Sequence, residues 1–105
     1  MENDARYKAV KILIESGYID NFVGIFSYLP KSVLGSDIGI NNNRLTRLIG
    51  RPEQFSIQEL NSIAALMGVE PLKIINLIYS QIEINKNNRK QLNGKRTKKI
   101  SFGNI

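Results

Sequence analysis

The 105-residue sequence contains no cysteine and no histidine. These two absences exclude disulfides, thiolate nucleophiles, imidazole general bases and the usual zinc ligand sets together. The nine acids (Glu2, Asp4, Glu15, Asp20, Asp37, Glu53, Glu59, Glu70 and Glu83) are scattered singly, as helix caps and solvated faces would be. No pair of them is set up for general acid/base work. The sequence therefore predicts a protein that is not an enzyme and uses no metal, no cofactor and no small-molecule substrate. Long apolar runs are missing as well. FVGIF and the IINLIY of residues 74–79 fall far short of the roughly 20 residues that cross a bilayer. The opening MENDARYK carries acids where a secretory signal has bases followed by an apolar stretch. No membrane association and a cytoplasmic location are expected.

Acid is also missing from one end of the chain. The net charge of +6 resolves into two parts. After Glu83 there is no acid, and Lys86, Arg89, Lys90, Lys95, Arg96, Lys98 and Lys99 give residues 84–105 a charge of +7. Residues 1–83 hold the other eight bases and all nine acids, a net of −1. Length allows one domain with a modest core. The expected organisation is a folded domain over residues 4–83 and a basic, flexible, disordered tail over 84–105, rich in Asn and Lys. Within the domain, Lys31, Arg44, Arg47 and Arg51 stand against the single acid Asp37, a basic island in a balanced background.

What fills residues 4–83 is helical periodicity. Asn3 and Asp4 are natural N-caps for a helix over about Ala5–Ser16, with Val10, Leu13 and Ile14 on one face and Gly17 as its stop. In YIDNFVGIFSYLP, Phe22, Ile25, Phe26 and Leu29 repeat at i, i+3, i+4 and i+7, with Asp20 or Asn21 as cap and Pro30 as terminator. Lys31–Ile38 offers Val33, Leu34 and Ile38 before Gly39, and Leu45, Leu48 and Ile49 mark a helix over Asn42–Ile49. SIQE, with Ser56 three residues before Glu59, is a capping box for a helix with Ile57, Leu60, Ile63, Ala64 and Met67 on one side and Gly68 as C-cap. Pro71 opens the last helix, which places Leu72, Ile75, Tyr79 and Ile82 on one stripe and Ile74 and Ile78 beside it. No period-2 run occurs before residue 84, so the fold class is all-α.

Two short helices meeting at Gly39 satisfy the spacing of a helix-turn-helix. Counted from Lys31, Leu34, Ile38, Ile40, Leu45 and Leu48 fall at its apolar positions and Gly39 at its turn. Gly35 falls where the helices approach so closely that only Gly or Ala fits. This explains the unusual run Asn41, Asn42, Asn43. Asn41 caps the second helix, and Asn42, Asn43, Thr46 and Arg47 point away from the core. Amides at the start of such a helix can hold adenine, and arginine can hold guanine, through the major groove. Against this stands a simple compositional bias, since the chain has twelve asparagines.

The segment SVLGSDIGINNNRLTRLIGRPEQFSIQELNSIAALMGVEPLKIINLI resembles the phage repressor and Cro-like helix-turn-helix family of bacterial transcriptional regulators. The likeness covers about residues 31–82: the turn glycine, the apolar framework, the capped helix ending in ALMGVEP and the closing helix. It implies a five-helix repressor-like DNA-binding bundle, with Lys31–Ile38 as positioning helix and Asn42–Ile49 as recognition helix. By motif position it places base contacts on Asn42, Asn43 and Arg47, and Thr46 is expected beside them, near a thymine methyl or a phosphate. Its phosphate contacts fall near Lys31, Ser32 and the loop around Arg51; Asn41 and Arg44, the latter only partly turned to the groove, are expected to add phosphate contacts outside the motif positions. YIDNFVGIFSYLP departs from the family pattern as an inserted or extended helix near the N-terminus. The implied function is sequence-specific binding of double-stranded DNA as a repressor-type regulator. The alternative is a helical protein-protein interaction module, antitoxin-like or an adaptor, using the last helix and the tail. Leu77 lies outside the main stripe of that helix, and the surplus offers either a homodimer surface or additional core burial.

Overall fold

The computed structural model describes the backbone of residues 4–101 and the side chains of residues 4–89. It is all helical there: α1 (Arg6–Glu15), a 3₁₀ segment (Phe22–Ser27), α2 (Lys31–Ile38), α3 (Asn42–Gly50), a 3₁₀ turn (Pro52–Gln54), α4 (Ile57–Met67) and α5 (Pro71–Ser101). The expected all-α class holds. Among the described residues no single helix is long and apolar enough to cross a membrane.

Local chemistry fixes the element ends. Ser56 Oγ accepts the backbone N–H of Glu59 at 3.0 Å while Glu59 Oε1 accepts that of Ser56 at 2.9 Å, the reciprocal capping box expected from SIQE. Asn41 Oδ1 accepts the Arg44 N–H at 2.8 Å and starts α3. At the start of α1 the cap position is Ala5 rather than Asp4, yet the Asp4 carboxylate still takes the Arg6 N–H at 2.9 Å. Asn3, the other expected cap, lies outside the described residues.

YIDNFVGIFSYLP departs from the α-helix its spacing suggested and forms a 3₁₀ segment. Asn21 rather than Asp20 caps it, through the Gly24 N–H at 2.9 Å. The Val23 N–H leaves the helix and donates to Gln81 Oε1 at 3.0 Å. In the tighter winding, positions three apart eclipse, so Phe22 and Ile25 still enter the core together. Phe22 meets Phe26 and Phe55 edge to face, with centroids 5.5 and 5.3 Å apart. The same core contains Leu29, Leu34, Leu45, Ile63, Met67 and Ile74, all fully enclosed.

The face of α5 is a correction. Ile74, Leu77, Ile78 and Gln81 are the buried set, with Leu77 only 5% exposed. Leu77 is thus core and supplies no free surface. The stripe Leu72, Ile75, Tyr79 and Ile82, read as the core face, is turned roughly a third of the way round the helix at 3.6 residues per turn. Both stripes are apolar at helical spacing, so periodicity cannot choose between them. The choice is made by buried Val69 and by the 115° change of axis between α4 and α5. The helix also passes through the boundary expected at residue 83. Gln81 Nε2 donates to Asn85 Oδ1 at 3.0 Å, and Asn85 Nδ2 donates to the Gly50 carbonyl at 3.2 Å. The folded domain therefore includes Asn85. Of the bases in the expected tail, Lys90, Lys95, Arg96, Lys98 and Lys99 lie beyond the described side chains.

The α2–α3 turn depends on two glycines. Gly39 takes the left-handed conformation (φ 77°), and the Ile40 N–H returns to the Gly35 carbonyl at 2.8 Å while the Gly39 N–H reaches Ser36 O at 3.4 Å. This is a Schellman closure, which a residue with a Cβ enters only with strain. At Gly35 an added Cβ would lie 2.6 Å from the Ile40 carbonyl oxygen and 3.6 Å from Leu45 Cδ2. The obstacle is backbone, so the space is tighter than expected and excludes alanine as well. Gly35→Ala should lower stability by about 1–3 kcal/mol through overpacking, despite alanine's advantage of about 1 kcal/mol in helix propensity. Gly50→Ala, where a Cβ meets nothing within 4 Å, should be neutral or stabilising. Thermal melts of the two variants check this, and equal melting temperatures would refute the close approach.

Candidate nucleic-acid interface

α3 is strongly two-sided. Leu45 and Leu48 are buried and Ile49 is half-buried, whereas Asn41, Asn42, Asn43, Thr46, Arg47, Gly50 and Arg51 are exposed. All four residues expected to contact bases therefore lie on the solvent side of one helix. At 100° per residue, Asn43, Arg47 and Gly50 form the outer ridge, with Asn42 and Thr46 on one flank and Arg44 and Arg51 on the other.

Polar bonds fix each flank and end of this helix. On the first flank, Lys31 Nζ at the start of α2 donates to Thr46 Oγ1 at 3.1 Å. Lys31 and exposed Ser32 thus border the same surface as the middle of α3. On the other flank, Arg44 Nη1 meets Glu59 Oε2 of α4 at 2.6 Å. The Arg44 guanidinium is therefore occupied as a strut to α4, while Arg51, also expected near phosphate, is exposed. At the N-terminus the Asn41 Oδ1 is used by the cap, which leaves its amide N–H groups as donors. At the C-terminus Asn85 of α5 binds the Gly50 carbonyl, satisfying a helix end that would otherwise lack a partner.

Gln81 extends this support. It is 4% exposed, with Oε1 on the Val23 N–H and Nε2 on Asn85. A ladder of amides runs from the 3₁₀ segment through α5 to the end of α3. Sequence analysis did not identify it. The signal was present in the i, i+4 spacing of Gln81 and Asn85, which lets two amides meet on one helix face. Tyr7 was missed too. Buried in the core, its hydroxyl donates to Asp37 Oδ2 at 2.7 Å and ties α1 to α2. Burial first, and the adjacent Asp37 carboxylate second, push the phenol well above its ordinary value.

The charge on this face follows from these pairings. Asp37 accepts from Tyr7 and Glu59 matches Arg44. Among the described residues Lys31, Arg47 and Arg51 are in no ion pair. A cleft lined by Thr46, Arg47, Gly50, Arg51 and Gln54 opens beside the C-terminal half of α3. Three cations thus surround a row of amides and a hydroxyl. No group of three or more metal-ligating side chains occurs among the described residues. Comparison of the chain with protein-family models, with curated proteins and with solved structures returned no match.

The Arg44–Glu59 strut makes a pH-dependent contribution. The Arg44 guanidinium holds the Glu59 carboxyl below its ordinary value of 4.5, and the Ser56 N–H adds to this while partial burial opposes it. A carboxyl lowered in the folded state contributes its full stability above the ordinary value and loses it as the pH falls through the folded one. The loss therefore falls below about pH 4.5. Glu59→Gln should cost about 1 kcal/mol or less at pH 7, since Arg44 is partly solvated. The gap in melting temperature between wild type and Glu59→Gln should close as the pH is lowered to 3. A gap that stays constant with pH would show that the pair contributes nothing.

Proposed function

We propose that the chain binds double-stranded DNA sequence-specifically, with α3 entering the major groove, and acts as a repressor-type transcriptional regulator. One observation carries this reading: a short helix is held on both flanks and at both ends, and the face left open bears Asn42, Asn43 and Arg47, with the Thr46 methyl at its flank beside the hydroxyl that takes Lys31. Rigid support for an exposed polar row is what base readout requires, because misplacement of a bidentate donor pair forfeits its selectivity. Asn42 and Asn43 each offer the donor and acceptor that match adenine N7 and N6. Arg47 offers the fork that matches guanine O6 and N7, and the Thr46 methyl suits thymine. Lys31, Ser32, Asn41 and Arg51 surround this row and supply phosphate contacts that set register without reading sequence. In this reading α2 is the positioning helix of a helix-turn-helix and the Gly39 turn sets its relation to α3.

The basic residues after Arg89 add non-specific affinity. They carry five positive charges with no acid, and each phosphate they neutralise adds about 0.9 to the steepness of log K against log salt. The alternative, a protein-interaction module, draws on the exposed side of α5, and it differs in requiring no DNA affinity.

Fluorescence anisotropy with duplex DNA at several salt concentrations tests the reading. The full chain should bind with a steep salt dependence. Arg47→Ala should lose about 1–3 kcal/mol on a preferred site. A chain ending at Arg89 should bind all duplexes more weakly, with the slope flattened by about 2–4 units. Absence of duplex binding at low salt would overturn the proposal, and an unchanged slope would remove the basic segment from it.

A further inference from the structure

The 3₁₀ segment and the turn leading into it present two tyrosines to solvent. Tyr18 is 70% exposed and Tyr28 38%, and both line one cleft of about 240 Å³. Hydrogen bonding with the Tyr18 hydroxyl first, and burial second, raise the Tyr28 phenol above its ordinary value, so the two side chains meet at the cleft. The core does not account for this pair, because Phe22, Ile25 and Leu29 are what the segment buries. None of the residues lining the cleft belongs to α2 or α3, so it stands apart from the face assigned to DNA.

Asp20 gives the cleft its sign. It is exposed, it is in no ion pair among the described residues, and no lysine or arginine lines the cleft. Its direction is set by the cap of the 3₁₀ segment. Asn21 Oδ1 accepts the Gly24 N–H at 2.9 Å, which leaves Asn21 Nδ2 to donate to Asp20 Oδ1 at 2.9 Å. Gly24 lines the same cleft, and a Cβ there would crowd Ile19 Cγ2 at 3.3 Å and Asn21 Oδ1 at 3.4 Å, disturbing the cap that orients Asp20.

We propose that this cleft binds the ammonium group of a primary alkylamine, placed against the Tyr18 and Tyr28 rings and the Asp20 carboxylate. An aromatic face attracts a cation through its quadrupole, and a carboxylate accepts the ammonium N–H in a charge-assisted hydrogen bond. The exposed Ser27 hydroxyl, also in the cleft, offers a further acceptor. An anion would meet Asp20 with no cation to offset it. A quaternary ammonium would keep the rings but has no N–H for the carboxylate, so the primary amine is preferred. A free polyamine and the lysine side chain of a protein offer this same group. The cleft is open to solvent, so binding is weak, with a dissociation constant on the order of millimolar.

The test uses the full chain without DNA, so its result is independent of the DNA-binding reading. In NMR titrations with butylammonium at constant ionic strength, the Tyr18 and Tyr28 ring signals and the Gly24 amide should shift together and saturate, with a dissociation constant of about 1–10 mM. Propionate and sodium chloride should give no saturable shift, and tetramethylammonium should bind more weakly than butylammonium. Asp20→Asn keeps the oxygen that accepts from Asn21 and removes the charge. It and Tyr18→Leu should each weaken binding about two- to fivefold, and the double variant should show no saturation. Melting temperatures should not change, since both residues are exposed. Tighter binding of N-acetyl-lysine methylamide than of diaminobutane would assign the site to a protein lysine, and the reverse to a free polyamine. Shifts that rise linearly with amine, saturable shifts from propionate, or a double variant that binds like wild type would overturn the site.

Discussion

The approach of Gly35 to the Ile40 carbonyl is the constraint on which the rest of the α2–α3 arrangement depends. With no Cβ in the way, the chain closes on itself directly after α2, and the hydrogen bond from Ile40 to Gly35 holds the turn. Leu45 then packs against that junction and reaches full burial with Leu34. Once Leu45 and Leu48 face inward, helical geometry leaves Asn43 and Arg47 facing outward. The exposure of the polar row is thus a consequence of how the turn packs and does not depend on the intrinsic preferences of asparagine, which are unfavourable in a helix interior.

Packing of Leu45 and Leu48 sets the position of α3. Polar bonds at its margins add directional restraint. Lys31–Thr46 ties one flank to α2, Arg44–Glu59 ties the other to α4, and Asn85 holds the C-terminal carbonyl from α5. None of these is strong individually, since partly exposed ion pairs contribute little. Their value lies in direction, because they approach the helix from three different elements. The Gln81 ladder gives the 3₁₀ segment a part in this, as the Val23 N–H completes the amide chain that ends on Gly50.

Much of this was legible in the sequence where one residue type has one physical use. The capping box at Ser56 and Glu59, the cap at Asn41, the C-terminal glycines 39 and 68 and the bounds of α2 all follow from backbone requirements that few residues meet. What failed involved choices between equivalent solutions. YIDNFVGIFSYLP has a spacing of three that suits a 3₁₀ segment as well as an α-helix, and the competition for the Val23 N–H comes from a residue far along the chain. α5 has two adjacent apolar stripes, and only tertiary packing decides which one is buried. That α5 runs on past residue 83 was not legible because composition reports charge and polarity, whereas Asn85 is held by the Ile49 and Gly50 carbonyls at the end of α3. The outward row of α3 was legible because its inward residues were.

The central claim is that the open face of α3 reads base sequence. Its most direct measurement is selection of bound duplexes from a random pool by the full chain and by Asn43→Ala. The account predicts an enriched motif containing adenine and guanine positions, with the preference at one adenine relaxed in the variant and the others retained. No enrichment over the starting pool, or an identical motif from both proteins, would contradict it.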